Sequence, residues 1–203
     1  MAESIIQVTS AGATKLHTFN RTIGANSVED EVVLFGENYL ASYVVADAEP
    51  SIATGNAHCL QIMAGASLKV RIRRIEIQPA GLATAAARGA WGIYRLTTAG
   101  TGGTAMTPAL LDPADSASGA TAMTLPTVKG TEGVIVGILT DAVTQTVPTS
   151  GVISPRVAVD FDRPRSKPLI IAAGVANGIA IKNLVAVAAA SITINVWFDE
   201  SNF

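Results

Sequence analysis

Strict alternation of apolar and polar residues is the feature that most constrains how this chain folds. Its clearest instance lies near the C-terminus, in the segment 191–199. The apolar positions are Ile192, Ile194, Val196 and Phe198, and the intervening positions are Thr193, Asn195, Trp197 and Asp199. Successive side chains of a β-strand point to opposite faces of its sheet, so this period of two predicts a half-buried strand.

One residue on the polar face of that strand, Trp197, carries a large apolar ring. Leaving such a ring in water is unfavourable, and contact with a neighbouring chain or a covering loop removes that cost. We therefore expect Trp197 to contribute to an assembly contact.

Short apolar runs of strand length recur along much of the chain, separated by Gly, Pro and Thr. They cover residues 60–63, 68–77, 91–96, 134–139, 156–161, 169–173 and 178–181. Sustained helical periodicity is scarce. Many short strands at fairly regular spacing predict an all-β fold of the antiparallel β-sandwich type, and within that class we expect a jelly-roll-like arrangement.

The run 68–77 changes parity along its length. Its apolar residues are Leu68, Val70, Ile72, Ile75 and Ile77. These residues share one face of a strand only if one extra residue is inserted near Arg73 and Arg74. The sequence therefore predicts a β-bulge at that point.

Residues 1–55 are less regular than the remainder of the chain. Their apolar runs, one of which contains Ile5, Ile6 and Val8, are short and are separated by Gly, Asn and Ser. We expect an extended N-terminal arm or a peripheral hairpin there, and a sandwich domain over residues 56–203. The candidate assembly contacts in the arm are Val33, Phe35, Tyr39 and Tyr43.

A long segment rich in Thr, Ala and Gly, residues 97–126, interrupts the strand pattern. Within it the sequence of residues 102–107 recurs approximately at residues 119–124. Two similar copies predict a hairpin whose arms resemble each other, with Met106 and Met123 at equivalent positions. Long excursions inside compact domains are usually either functional or disordered, and for this one we expect contact with a neighbouring subunit, with both methionines as assembly contacts.

The sequence contains no recognisable catalytic or metal-binding motif. The two histidines, His17 and His58, are far apart, and Cys59 is the single cysteine. Adjacent strand residues point to opposite faces, so His58 and Cys59 do not form a catalytic pair. For Asp160 and Asp162 we expect structural ion pairs, with a calcium site as the alternative that no DxDxDG loop supports. We therefore expect no catalytic residue, no metal and no cofactor.

Charge is sparse for a soluble domain. Charged residues make up 15% of the chain and its net charge is −2, whereas an average domain carries about 25% charged residues. This composition argues against nucleic-acid binding, which needs a basic surface, and favours a surface partly covered by neighbours. The apolar segment 168–190 is interrupted by Gly, Asn and Lys, so we expect buried strands there and no membrane span.

The run from Arg88 to Thr104 reads RGAWGIYRLTTAGTGGT. It resembles stretches in tailed-bacteriophage virion proteins, as does the Ala/Thr/Gly-rich composition with a β-forming C-terminus. Small proteins of that kind are commonly head decoration, or cement, proteins with jelly-roll or related folds. They often bind as trimers over the capsid lattice and reinforce it, and they have no catalytic residues.

The resemblance implies a non-enzymatic structural protein, assembled in the host cytoplasm and located in the virion. Its expected partners are the major capsid protein and copies of itself in a homotrimer. The alternative is a receptor- or carbohydrate-binding module of a phage tail or surface structure. That alternative predicts an aromatic cleft lined by carboxylates, around Trp91 and Tyr94.

Overall fold

All regular structure in the described part of the chain is β-strand. The computed structural model describes residues 3–8, 14–23, 26–31, 40–80, 87–143, 156–162 and 167–201. Within those ranges no helix is long and apolar enough to span a membrane. The chain divides into two compact units, Met1–Tyr39 and Leu40–Phe203.

The first unit contains a three-stranded antiparallel sheet in the order β1-β2-β3. Its strands are β1 (Glu3–Val8), β2 (Thr14–Ile23) and β3 (Asn26–Glu31). The short strand predicted around Ile5, Ile6 and Val8 is therefore confirmed as β1. The candidate contacts Val33, Phe35 and Tyr39 lie outside the described residues.

The second unit is built from two antiparallel sheets. In chain order its strands are β4 (Ser42–Ser51), β5 (His58–Met63), β6 (Lys69–Pro79), β7 (Ala87–Leu96), β8 (Thr104–Met106), β9 (Ala109–Leu110), β10 (Thr121–Thr124), β11 (Glu132–Val143), β12 (Val157–Asp160), β13 (Leu169–Ile171), β14 (Gly178–Asn183) and β15 (Ser191–Ser201). The first sheet has the order β11-β7-β14-β5-β10-β8, and the second has the order β12-β6-β15-β4-β9 with β13 also paired to β6. This arrangement confirms the predicted antiparallel β-sandwich.

Strand β4 belongs to the sandwich and not to an N-terminal arm. It pairs with the central strand β15, with Val45 opposite Val196. The sandwich therefore begins before residue 56, and the division of the chain falls between Tyr39 and Leu40.

The core lies between the two sheets. The four apolar residues of the alternating C-terminal segment, Ile192, Ile194, Val196 and Phe198, are fully buried, as the pattern predicts. They belong to one cluster with residues of the first sheet such as Leu60. Burying each such side chain stabilises the fold by about 1.5–3 kcal/mol.

The predicted β-bulge is present at Arg73. Trp197 of β15 lies opposite Arg74, whereas the next residue, Phe198, lies opposite Ile72, which leaves Arg73 as the extra residue of β6. Because of this insertion, Ile75 is buried as Ile72 is. The insertion also sets two arginines side by side on the outer face of the sheet.

The excursion 97–126 folds back on its own sandwich. Its two similar segments pair with each other, β8 with β10, so the predicted hairpin with matching arms is confirmed. Between these arms, β9 pairs with β4 of the other sheet. The expectation that this segment reaches a neighbouring subunit stays a prediction.

A buried carboxylate holds the tip of the excursion. The side chain of Glu200, only 5% exposed, accepts hydrogen bonds from Ser118 Oγ at 2.9 Å and from the amides of Gly119 and Ala120 at 2.9 and 2.7 Å. The Tyr43 hydroxyl donates to the carbonyl of Ser116 at 2.8 Å. Side chains of the sandwich therefore satisfy two amides and one carbonyl of the tip.

We predict that Glu200→Gln loosens this tip. The amide keeps the shape of the carboxylate but loses its charge and one acceptor oxygen, so we expect a loss of about 1–3 kcal/mol in the free energy of unfolding. Urea denaturation measures that loss, and hydrogen exchange should be faster at Gly119 and Ala120. The matched control is Asp112→Asn, an exposed carboxylate of the same excursion. Equal losses in both variants, with unchanged exchange at the tip, would contradict the prediction.

Candidate functional site

Sheet edges are where a β-sandwich most readily meets another protein, because their backbone N–H and C=O groups lack strand partners. In the two sheets of the sandwich, three of the edge strands are short: β8 has 3 residues, β9 has 2 and β12 has 4. The remaining edge strand, β11, has 12 residues. No described strand pairs with its outer side.

Strand β11 carries large apolar side chains in water. Val134 is 72% exposed, Ile135 44%, Val136 38% and Ile138 58%. No charged residue occurs between Glu132 and Asp141. Natural edge strands discourage pairing with Lys, Pro, inward-pointing charges or bulges, and this stretch has register shifts near its start but no Lys, Pro or charged residue.

The register of β11 against β7 is irregular at one end. Shifts occur between Glu132 and Ile135 and between Ile135 and Gly137, and the pairing is regular from Gly137 to Val143. Such bulges bend a strand locally and are common at sheet edges. They leave the apolar residues exposed on both faces of the strand.

A second feature of the surface is a cavity on the outer face of the other sheet. It has a volume of about 440 Å³ and is lined by residues that include Trp197, Leu111, Arg73, Arg74, Asp160 and Asp162. The Trp197 ring is half-buried, and the Arg74 guanidinium carbon lies 5.8 Å from the ring centroid. The cavity thus combines an aromatic face with donors and acceptors at its rim.

The charged groups around this cavity are paired with one another. Arg73 contacts Asp162 at 2.6 Å, and Arg74 contacts Asp160 at 3.2 Å. The expected structural ion pairs of Asp160 and Asp162 are therefore confirmed, with partners supplied by β6. Beneath them, buried Asp199 accepts from Arg71 at 2.8 Å. The described residues contain no group of three or more His, Cys, Asp and Glu side chains placed to hold a metal ion.

A cluster of one buried histidine, one glutamate and one lysine lies on the first sheet. His58 Nε2 lies 3.0 Å from Glu132 Oε1, and Lys182 Nζ lies 2.8 Å from Glu132 Oε2. Burial lowers the pKa of His58 below its usual value despite the neighbouring carboxylate. The pKa of Glu132 is also lowered, since hydrogen bonds from Lys182 and His58 outweigh its burial. Neutral His58 thus donates from Nε2 to an ionised Glu132.

Cys59 is a buried core residue and not a nucleophile. Burial raises the pKa of its thiol to about 12, so it is protonated at neutral pH. Thiolate is the reactive form of cysteine, and this environment suppresses it. The Nε2 atom of His58 is hydrogen-bonded to Glu132, and Cys59 packs within the core cluster.

The residues that the sequence predicts as assembly contacts differ in how deeply they are buried. Trp197, Met106 and Met123 are half-buried. Tyr43 is a core residue, 2% exposed and stacked on Phe198 with ring centroids 5.4 Å apart. Its ring is therefore packed within the fold, and its role as an assembly contact stays a prediction.

The aromatic cleft expected for the alternative function is not formed. Trp91 is fully buried in the core, and Tyr94 carries Lys182 over its ring, with Nζ 4.8 Å from the centroid. Sequence analysis also missed the exposure of β11. The apolar run Val134–Ile135–Val136 was recognised as a strand, but a run without alternation is equally typical of a strand buried on both faces.

No protein-family model, curated protein or solved structure matches this chain. Family membership therefore supplies neither a fold template nor a set of site residues. The exposed edge of β11 and the cavity at Trp197 are the described surface features on which a function can be based.

The lowered pKa of His58 predicts a loss of stability on mild acidification. The unfolded chain binds this proton more readily than the folded chain, so stability is fully present above the unfolded pKa of about 6.5 and falls as pH decreases from there toward the folded pKa. A single group contributes at most about 1.4 kcal/mol per pH unit. Glu132 adds its own loss only below its usual pKa of about 4.3.

Urea denaturation of the wild type and of His58→Gln at pH 7.5 and 5.5 checks this expectation. The variant should lose less stability between the two pH values, since His58 no longer titrates, although Glu132, Lys129 and Lys182 still face position 58. His17 is present in both proteins and cancels in the comparison. An identical pH dependence in both would show that His58 does not titrate differently on folding.

Proposed function

We propose that this chain is a non-enzymatic structural subunit of a virion, which binds and stabilises a tailed-phage capsid shell as a decoration protein. The observation that carries the proposal is the long apolar edge of β11 in a chain whose charge content is only 15%. Exposed apolar patches of this kind mark surfaces that other proteins cover. The partners are then the major capsid protein and further copies of this chain, in the virion.

The order of the strands supports a jelly roll as the finer fold. The run β12-β6-β15-β4 in one sheet faces β11-β7-β14-β5 in the other, and the chain moves between the sheets as two interleaved Greek keys do. Jelly rolls are frequent among viral capsid proteins but also occur in lectins and enzymes, so the fold alone does not determine the function.

The chemistry of the buried polar groups supports a non-enzymatic role. In the described part of the chain, buried charged residues such as Lys182, Asp199 and Glu200 each have a partner within the fold. Cys59 is held as an unreactive thiol. These groups take part in the packing and the internal hydrogen bonds of the sandwich.

We predict that the protein is present in purified virions and binds heads assembled without it. Heads from a phage with this gene disrupted, mixed with purified protein and sedimented, should carry the protein and retain DNA to a higher temperature. An unrelated β-sandwich of similar size is the control for nonspecific sedimentation. Virions that lack the chain, together with heads that bind none of it, would contradict the proposal.

A second candidate function, a carbohydrate-binding module, is favoured by the cavity at Trp197. An aromatic ring flanked by arginine and aspartate side chains suits a sugar, whose apolar face stacks on the ring while its hydroxyls bind the rim. Under this alternative, titration with a panel of neutral oligosaccharides should give saturable binding by calorimetry. Trp197→Ala should abolish that binding and Trp197→Phe should retain part of it. No binding by the wild-type protein would remove the alternative.

A further inference from the structure

We propose that the outer edge of β11 pairs with β11 of a second copy, antiparallel and across a two-fold axis near Gly137. The proposal deepens the proposed function, on which it rests, by naming the partner of this surface. It replaces the expected trimer with a pair as the basic unit of association.

The lengths of the edge strands favour a symmetric contact. Among the described strands, an edge-to-edge contact between unlike strands of two copies would set β11 against β8, β9 or β12, which have 4 residues or fewer, or against β1 or β3, which have 6. The described edge that matches the 12 residues of β11 is β11 itself. A contact in which the same surface meets itself gives a closed pair and leaves no long edge open for further growth.

Gly137 lies at the centre of the proposed pair and places no side chain there. A Cβ atom built on Gly137 meets no atom within 4 Å, whereas on Gly178 it would lie 2.4 Å from Met63 Sδ. Gly137 is also absent from the described glycines with positive φ, which are Gly102 and Gly174. Neither space nor conformation within the chain requires glycine here. A glycine inside a strand often marks a bulge or a place where a second backbone comes close, and one register shift of β11 ends at Gly137.

The sequence of β11 is complementary to itself about this glycine. If the outer side of β11 pairs with a regular register despite the shift between Ile135 and Gly137, an antiparallel pair centred on Gly137 places Val136 opposite Ile138 of the second copy and Ile135 opposite Leu139. Each of these pairs occurs twice across the axis. The acidic positions 132 and 141 lie opposite positions 142 and 133, which hold Ala and Gly, so no two acidic residues occupy opposed positions. Apolar cross-strand pairs stabilise a sheet, and like charges placed opposite each other destabilise it.

Size-exclusion chromatography with light scattering, over a range of protein concentrations, tests the pairing. The wild type should be a dimer at micromolar concentration, and Ile138→Lys should weaken association at least about tenfold, since a lysine on an edge strand blocks pairing. Ile138 is 58% exposed, so the substitution leaves the core intact. Val175→Lys, at a residue 70% exposed on a loop, is the matched control and should remain dimeric.

Mixing two variants tests the register. Val136→Glu and Ile138→Lys should each be monomeric alone and should form a mixed dimer when combined. In the mixed pair, position 136 of the first variant lies opposite position 138 of the second, so the introduced carboxylate faces the introduced ammonium group. General damage to the fold would not produce this recovery. Failure of the mixture to associate would overturn the pairing about Gly137.

Other outcomes separate this inference from the proposed function. If the wild type and the Ile138→Lys variant each self-associate equally well, the interface lies elsewhere. That outcome overturns the inference and leaves the decoration role intact. If the wild type is a monomer that binds phage heads, and Ile138→Lys abolishes that binding, then the β11 edge contacts the capsid protein. That outcome likewise overturns pairing with a second copy. Absence of any head binding, with dimerisation preserved, overturns the decoration role alone.

Discussion

The register of the central strand β15 is the constraint on which the rest of the sandwich depends. This strand pairs with β6 on one side and β4 on the other, and its inward residues form the middle of the core. Its end supplies two buried carboxylates, Asp199 to the arginines of β6 and Glu200 to the tip of the excursion. A slip of one residue would exchange the two faces of the strand. It would disrupt the core, the arginine network and the attachment of the excursion at the same time.

The two surfaces with functional potential lie on different sheets. The apolar edge belongs to β11 of the first sheet, whereas the cavity at Trp197 lies on the outer face of the second. A subunit that associates through β11 keeps its cavity available. Structural and recognition roles are therefore compatible in one chain, and an assembled array would present many copies of the cavity at once.

The parts of the fold that sequence analysis predicted are those encoded locally. Three local patterns each correspond to a feature of the structure. They are the alternation in residues 191–199, the change of parity at Arg73 and the repeated sequence within the excursion. Local pattern is informative here because the period of two is a direct consequence of strand geometry.

The parts that sequence analysis missed depend on contacts between distant residues. Strand β4 joins the sandwich by pairing with β15 about 150 residues later, which no local pattern reveals. Tyr43 is buried because of that same pairing. Glu200 directly follows the alternating segment, where a charged residue is typical of a solvent-exposed strand end. In the structure the excursion folds over it. Whether β11 is central or at an edge is likewise a property of the whole sheet, so its exposure could not be read from Val134, Ile135 and Val136 alone.

The course of the excursion has a mechanical consequence. Its arms β8 and β10 extend the first sheet, while β9 between them extends the second, so one covalent segment joins the two layers along that side. Under tension applied across the sandwich, this side should part only after the hydrogen bonds of β10 to β5 or of β9 to β4 have broken.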